Sequence, residues 1–326
     1  MSAPRRAWKS SAVVLPTLLA ACASAPKPPP AATPTPAGPV PEGPVSLGFA
    51  WPEGLTAQVT YSTSRLRTGD DAESGESRYR MVVKGEGDVL KVVSQDVELP
   101  PEEQKAVAAA EPVSIPTVVV SRRGDFLRIE GAEATLAKVE KVLEQQGQAA
   151  PQRAQVLAIL RDALVEGAKE TWHVQVAGWR GVTLEQGKPV TRQARLSPSA
   201  LASVVVPVTE TLSYEGAVPC AEGETEKRCV RLTFQAKPVE SELPGVKAAF
   251  LARVKALAGG EAPDYTLEEL RVEHRTELVT EPGTLIPHRV RTTRHTRVVF
   301  LASKEERSED DQREEVEYRY VYDTKK

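Results

Sequence analysis

The stretch from Leu270 to Tyr322 carries the clearest period-two alternation in the chain, and such a pattern commits this end of the protein to strands with one buried face. Leu270, Val272, His274, Thr276 and Leu278 share one face. After Pro282-Gly283, Ile286, His288, Val290, Thr292, Val298 and Phe300 share a face of the next strand, and Val316, Tyr318, Tyr320 and Tyr322 make a third. For the first two apolar sets to lie on the same side of a sheet, the numbers of facing residues must sum to an even number, as with Leu278 opposite His288. A two-residue turn would flip one strand, so a three- or five-residue connection with a bulge is expected.

The same alternation opens the folded part. Leu55, Ala57, Val59, Tyr61 and Thr63 give one strand; a polar loop over 68–77 precedes Tyr79, Met81 and Val83. Gly85 to Asp88 then turns the chain into a third strand, Val89 to Leu99. Pro100-Pro101 stops it and opens a short helix to about Ala110. Thr117–Ser121 and Phe126–Glu130 flank a tight turn in which Gly124 supplies a positive φ. Leu136, Val139, Val142 and Leu143, then Val156, Leu157, Leu160 and Leu164, form two helical stripes, and the break at Pro151 predicts an αα-hairpin. Trp172, Val174 and Val176 read as a strand with His173 turned away from its buried face. Leu201 to Tyr214 pairs with a strand through Val230, Leu232, Phe234 and Ala236, and Leu243–Leu257 is a helix ended by Gly259-Gly260. The fold class is α+β: a curved antiparallel β-sheet, with meanders at both ends of the chain, packed against an αα-hairpin and further helices.

Ahead of all this stand Arg5, Arg6 and Lys9 and an apolar run, Ser11 to Ala21, well short of the ~20 residues that span a bilayer. This is an export signal. Removing its three cations from a chain of net charge −3 leaves about −6, which gives no electrostatic reason to bind nucleic acid. Leu19-Ala20-Ala21-Cys22 resembles the lipobox of bacterial lipoproteins. That resemblance implies that Cys22 is acylated and becomes the first mature residue, and that the protein is held at a membrane by its N-terminal lipids. The alternative is an ordinary secretory signal cleaved after Ala21 or Ala23. Several acyl chains give effectively stable attachment, and Ala23 after the cysteine resembles cargo passed to the outer membrane, facing the periplasm or the cell surface. Residues 1–21 are then the signal, 22–45 the lipidated cysteine and a Pro/Ala-rich tether that cannot bury a core, and 46–326 the globular part. Two similar halves, about 46–185 and 186–326, are compatible with the pattern. Cys220 and Cys229 remain as a pair in an exported chain and are expected to form a disulfide, worth roughly 2–3 kcal/mol for the loop it closes.

Candidate sites are sparse. The four histidines lack metal-ligand spacing: His288 and His295 fall on opposite faces, and only His274 and His288 could approach across a hairpin. No metal and no cofactor is expected. G-x-S-x-G, H-E-x-x-H, P-loop and dinucleotide patterns are absent, so no catalytic residue is assigned and the chain is not read as an enzyme. Arg289, Arg291, Arg297 and His295 line the polar face of one strand. An anion or lipid headgroup could lie along them, but cross-strand pairing is preferred, with Glu277 opposite Arg289 and Glu315 or Glu317 approaching from the last strand. Glu305 to Glu315 lacks a calcium-loop order and reads as a solvated connection.

The order of elements is loosely similar to that of the half-barrel carriers and receptors of the bacterial lipoprotein-localisation pathway, a resemblance of architecture and anchor that transfers no binding residue. The first functional reading is a non-enzymatic, lipid-anchored envelope protein that binds a protein or another envelope component. The second is a carrier for an apolar ligand, such as a lipid or acyl chain, held between sheet and helices; a hydrolase is the third. An apolar cavity is the feature that separates the second from the first.

Overall fold

The computed structural model describes residues 40, 42–98, 115–196, 204–257, 266–301 and 307–323. The signal, Cys22, most of the tether, the short helix read after Pro101 and the Gly259-Gly260 ending lie outside them.

Eleven strands form one antiparallel sheet. The N-terminal meander is β2 (Thr56–Arg67), β3 (Glu73–Glu86) and β4 (Val89–Glu98), continued by the hairpin β5 (Thr117–Ser121) and β6 (Phe126–Glu130). The C-terminal meander is β8 (Val190–Leu196), β9 (Val206–Val218), β10 (Cys229–Pro238), β11 (Thr266–Thr280), β12 (Pro287–Leu301) and β13 (Arg307–Tyr322). The spatial order is β6-β5-β4-β3-β2-β13-β12-β11-β10-β9-β8, so the first and last long strands pair with each other in the middle and the sheet is not closed into a barrel. β1 (Val45–Ser46) and β7 (Thr183–Leu184) make a separate two-stranded sheet.

Between β6 and β7 run α1 (Ala132–Gln145) and α2 (Ala150–Trp172), the expected αα-hairpin, followed by a π-helical turn, His173–Ala177. A further helix, α3 (Leu243–Leu257), packs on β11. Leu136, Val139 and Leu143 bury the predicted stripe of α1, while Val142 is exposed.

The curvature of the sheet follows from what the end of α2 touches. The Trp172 indole N–H donates to the Gly124 carbonyl in the β5–β6 turn, while the neighbouring His173 reaches Glu210 on β9. Eight inter-strand steps separate β5 from β9; laid flat at ~4.8 Å each they would span ~38 Å, beyond the reach of two adjacent side chains. The sheet therefore wraps around the end of α2, and its apolar phase faces inward. Ala57, Val59, Met81, Val83, Leu212, Leu232, Phe234, Leu278 and Val290 are among the buried residues of that single core. Gly124 takes φ 85°, as its turn requires, and a Cβ there would lie 2.7 Å from the Phe49 ring.

Four readings of the sequence are corrected. Trp172, Val174 and Val176 do not form a strand: this segment is enclosed on several sides, Val174, Gln175 and Val176 are all buried, and the alternation is coincidental with a helix that simply continues. Leu278 faces Val290 rather than His288, and Glu277 faces Arg291 rather than Arg289. The parity argument holds, but six residues connect β11 and β12, and a shift between Val279 and Thr280 restores the register. The polar segment 68–77 is shorter as a loop than expected, because β3 starts at Glu73. The acidic segment is likewise mostly strand: β13 starts at Arg307, and its carboxylates pair with cations on β12 and β2 instead of standing in solvent.

Candidate functional site

The site is the space between the C-terminal end of α2 and the inner face of the sheet. Three aromatic side chains hold one flank of the helix. Trp172 is 5% exposed and meets Trp51 and Phe49 edge-on, with centroids 5.2 and 5.9 Å apart. Trp51 in turn donates its indole N–H to the Leu285 carbonyl. Beside this cluster lies a cavity of about 330 Å³, lined by Met81, Val92 and Val118 from the sheet, Ala163, Leu164 and Ala168 from α2, and the rings of Tyr79, Tyr318 and Tyr320. Its volume falls in the ~300–1,000 Å³ range of small-molecule sites. Among the described residues that line it, none is Asp, Glu, Lys, Arg or His.

Gly167 contributes to that space. It sits inside α2, where glycine costs about 1 kcal/mol relative to alanine, and no heavy atom lies within 4 Å of the place a Cβ would occupy. A side chain there would enter the cavity rather than clash with backbone.

The other flank of the helix is charged. Glu170 lies 3.1 Å from the His274 Nδ1 on β11 and 3.4 Å from the Arg294 Nε on β12. Arg294 also donates to Glu314 on β13 at 3.1 Å, and Glu314 accepts from Arg65 on β2 at 2.9 Å. Beyond Phe234, whose ring meets both His173 and His274 edge-on, a second cluster continues: Glu210, 0% exposed, is bonded to His173 at 2.8 Å and to Arg192 at 2.6 Å. Burial pushes the Glu170 carboxyl up, yet the His274 hydrogen bond and the Arg294 charge outweigh it and hold it below the usual carboxylate range. Glu210 is held low in the same way, burial being overcome by His173 and Arg192. Burial dominates for His274 and lowers its pKa against the pull of Glu170. Smaller cavities of about 240 and 210 Å³ lie along this flank; the first shares Gly167, Thr171, Gln175 and Tyr318 with the apolar one, and the second shares Glu170, Arg294 and Glu314 with the first.

The sequence-derived candidates fall elsewhere. Cys220, two residues past the end of β9, and Cys229, the first residue of β10, form a disulfide with Cα atoms 5.0 Å apart. The His288 ring lies close to their sulfurs, but those sulfurs are bonded to each other and so are not thiolate ligands. His274 and His288 are not brought together: His274 serves Glu170, while His288 meets Glu281 at 3.3 Å and the ring of Tyr322. The arginines on the outward phase of β12 pair across strands as preferred, Arg289 with Glu317 and Arg291 with Glu315, each at 2.9 Å, and Arg297 with Glu309 at 3.0 Å; His295 meets Asp311.

What sequence reasoning missed is on the inward phase. Glu210 stands between Val208 and Leu212, Arg294 between Thr292 and Thr296, and Glu314 two residues before Val316. A charge in the apolar phase of an alternating strand is the signal that could have found all three.

No protein-family model matches the chain, and no curated protein matches it. Among solved structures it is similar to a chain described under "Lipid-protein interactions in lipovitellin", with 8% identity and a TM-score of 0.32 over 83% of this chain and 25% of that one. This chain thus spans about a quarter of the length of the protein it matches, and a likeness so slight carries neither fold nor function. No helix among the described residues is long and apolar enough to cross a membrane.

Proposed function

We propose that this is a lipid-anchored protein of the bacterial cell envelope, non-enzymatic, whose folded body binds an apolar ligand between α2 and the inner face of the sheet. The observation that carries the ligand reading is the cavity of about 330 Å³ beside Trp51 and Trp172, lined without a single charged side chain among the described residues. It moves the second reading of the sequence ahead of the first, because an uncharged, mostly apolar hollow of this size matches a small apolar molecule, and among the described residues no comparable feature points to a protein partner. The anchor rests on Leu19-Ala20-Ala21-Cys22 behind a basic, apolar leader. Together these give a tethered body with room for a small apolar molecule at a membrane face.

Gly167 offers the test. Titration of the mature protein with phenylnaphthylamine, a neutral apolar fluorophore, is expected to give saturable enhancement in the wild type. The Gly167→Phe variant, which fills the cavity from the helix side, is expected to abolish it while keeping the wild-type circular dichroism spectrum. Equal enhancement in both proteins would remove this space as the binding site.

A further inference from the structure

The tyrosines on the inner face define what kind of apolar molecule the cavity takes. Val59 on β2 pairs with Tyr79 on one side and Tyr320 on the other, and in the next row Tyr61 pairs with Tyr318, their rings 5.0 Å apart. Four phenols from three adjacent strands thus converge on the floor beneath α2. Two hydroxyls along this face are spoken for: Tyr320 donates to the Gln175 side-chain oxygen at 3.3 Å, and Tyr322 to the Pro287 carbonyl at 2.6 Å. Tyr79 and Tyr318 both line the cavity, and neither hydroxyl has a hydrogen-bond partner among the described residues. Burial raises both phenols well above their ordinary pKa, so each carries its proton and is a donor. Neither hydroxyl is among the buried atoms left without a partner, so each is a donor on the cavity wall that open space still reaches, available to an acceptor oxygen carried by an occupant.

The occupant that satisfies these groups has an apolar body for the walls and a neutral acceptor oxygen for the floor. An anion suits the space poorly, because no cation lines it and an unpaired charge taken out of water is disfavoured. Arg65 and Arg294 lie on the other flank and are already shared with Glu314. Building on the apolar-ligand reading above, we propose that this cavity binds molecules bearing a neutral carbonyl, held by hydrogen bonds from the Tyr79 and Tyr318 hydroxyls. The carbonyl of an acyl ester and that of an alkylated quinone share this chemistry.

Displacement of bound phenylnaphthylamine by methyl decanoate, decyl benzoquinone, decane and decanoate separates the terms. The two carbonyl compounds, or one of them, should displace the fluorophore at concentrations about tenfold lower than decane or decanoate. An ester that outcompetes the quinone identifies a lipid source, and the reverse order a quinone source. In the double variant Tyr79→Phe/Tyr318→Phe the preference over decane should vanish, with decane itself displacing as before. Tyr322→Phe, which loses a hydroxyl already bonded to Pro287 and outside the cavity lining, should keep it. Thermal melts of the variants report that each is folded, and the single variants Tyr79→Phe and Tyr318→Phe replace the double one if it melts early. Equal displacement by all four compounds, or a preference that survives loss of both hydroxyls, would overturn the proposal while leaving the apolar cavity intact. A fluorophore that fails to bind the wild type would instead overturn the cavity reading on which the proposal stands.

Discussion

The two flanks of α2 meet the same sheet by opposite means. Toward β3 and β4 the helix offers Ala163, Leu164, Gly167, Ala168 and Trp172 and leaves open space; toward β9, β11 and β12 it and the π-helical turn offer Glu170 and His173 and make short, directional contacts. Ion pairs and hydrogen bonds weaken steeply when geometry changes, whereas apolar contact tolerates sliding. The charged flank can therefore fix where the helix sits. With position settled there, the apolar flank can remain under-filled without the helix collapsing into the gap.

Removing the anchor of the apolar flank is the harshest way to break that contrast. Trp172→Ala deletes a buried indole, two edge-on ring contacts and the bond to Gly124, and should lower unfolding free energy by about 4 kcal/mol in urea denaturation. A loss below about 1 kcal/mol would mean that the charged flank alone holds the helix.

The reverse experiment removes Glu210, which leaves His173 and Arg192 without their shared carboxylate. Because Arg192 is partly exposed, Glu210→Ala should cost about 3 kcal/mol at neutral pH, the low end for breaking a buried pair. The sign of its pH dependence is fixed. The Glu210 carboxyl titrates lower in the folded state than its unfolded value of about 4.3, so its stabilisation is complete above that value and is lost as pH falls through the folded pKa. Wild type and variant should accordingly converge on acidification below about pH 4. A gap between their melting temperatures that stays constant down to that range would show that the carboxylate charge is not what matters.

The mildest change sharpens the comparison. Gly167→Ala removes a helix-interior glycine and adds one methyl group to open space, and is expected to stabilise the protein by about 0.5–1 kcal/mol, measurable as a raised melting temperature. Destabilisation would mean that the space beside the helix is smaller than it looks.

The residues also show why some of this was legible beforehand and some was not. Where one face of a strand is buried and the other wet, as in Leu270 to Leu278 or Val316 to Tyr322, period two survives in the sequence and the strand is visible. The αα-hairpin and the Cys220–Cys229 pair were visible for equally local reasons: a stripe, a proline break and two cysteines left over after the lipobox. The segment Trp172 to Val176 misled because it is surrounded, so its burial no longer reports its geometry. Residues 307–315 misled because polarity resembles solvation until the partners on β12 and β2 are known. A space between sheet and helices could be named in advance, but not the residues that line it, since they come from α2, β3, β4, β5 and β13 and their meeting depends on the sheet's wrap.

That β2 and β13 are neighbours has a consequence for how the body is made. The sheet cannot grow outward in chain order, because its midline is joined by the first and last long strands, with the Asp323 amide donating to Thr56. Until the closing residues are synthesised there are two half-sheets with four raw borders instead of two, and only the final strand fuses them. Contacts this distant along the chain favour slow folding, so a polypeptide stalled or clipped shortly before Arg307 would lack the seam of its structure, not merely its fringe.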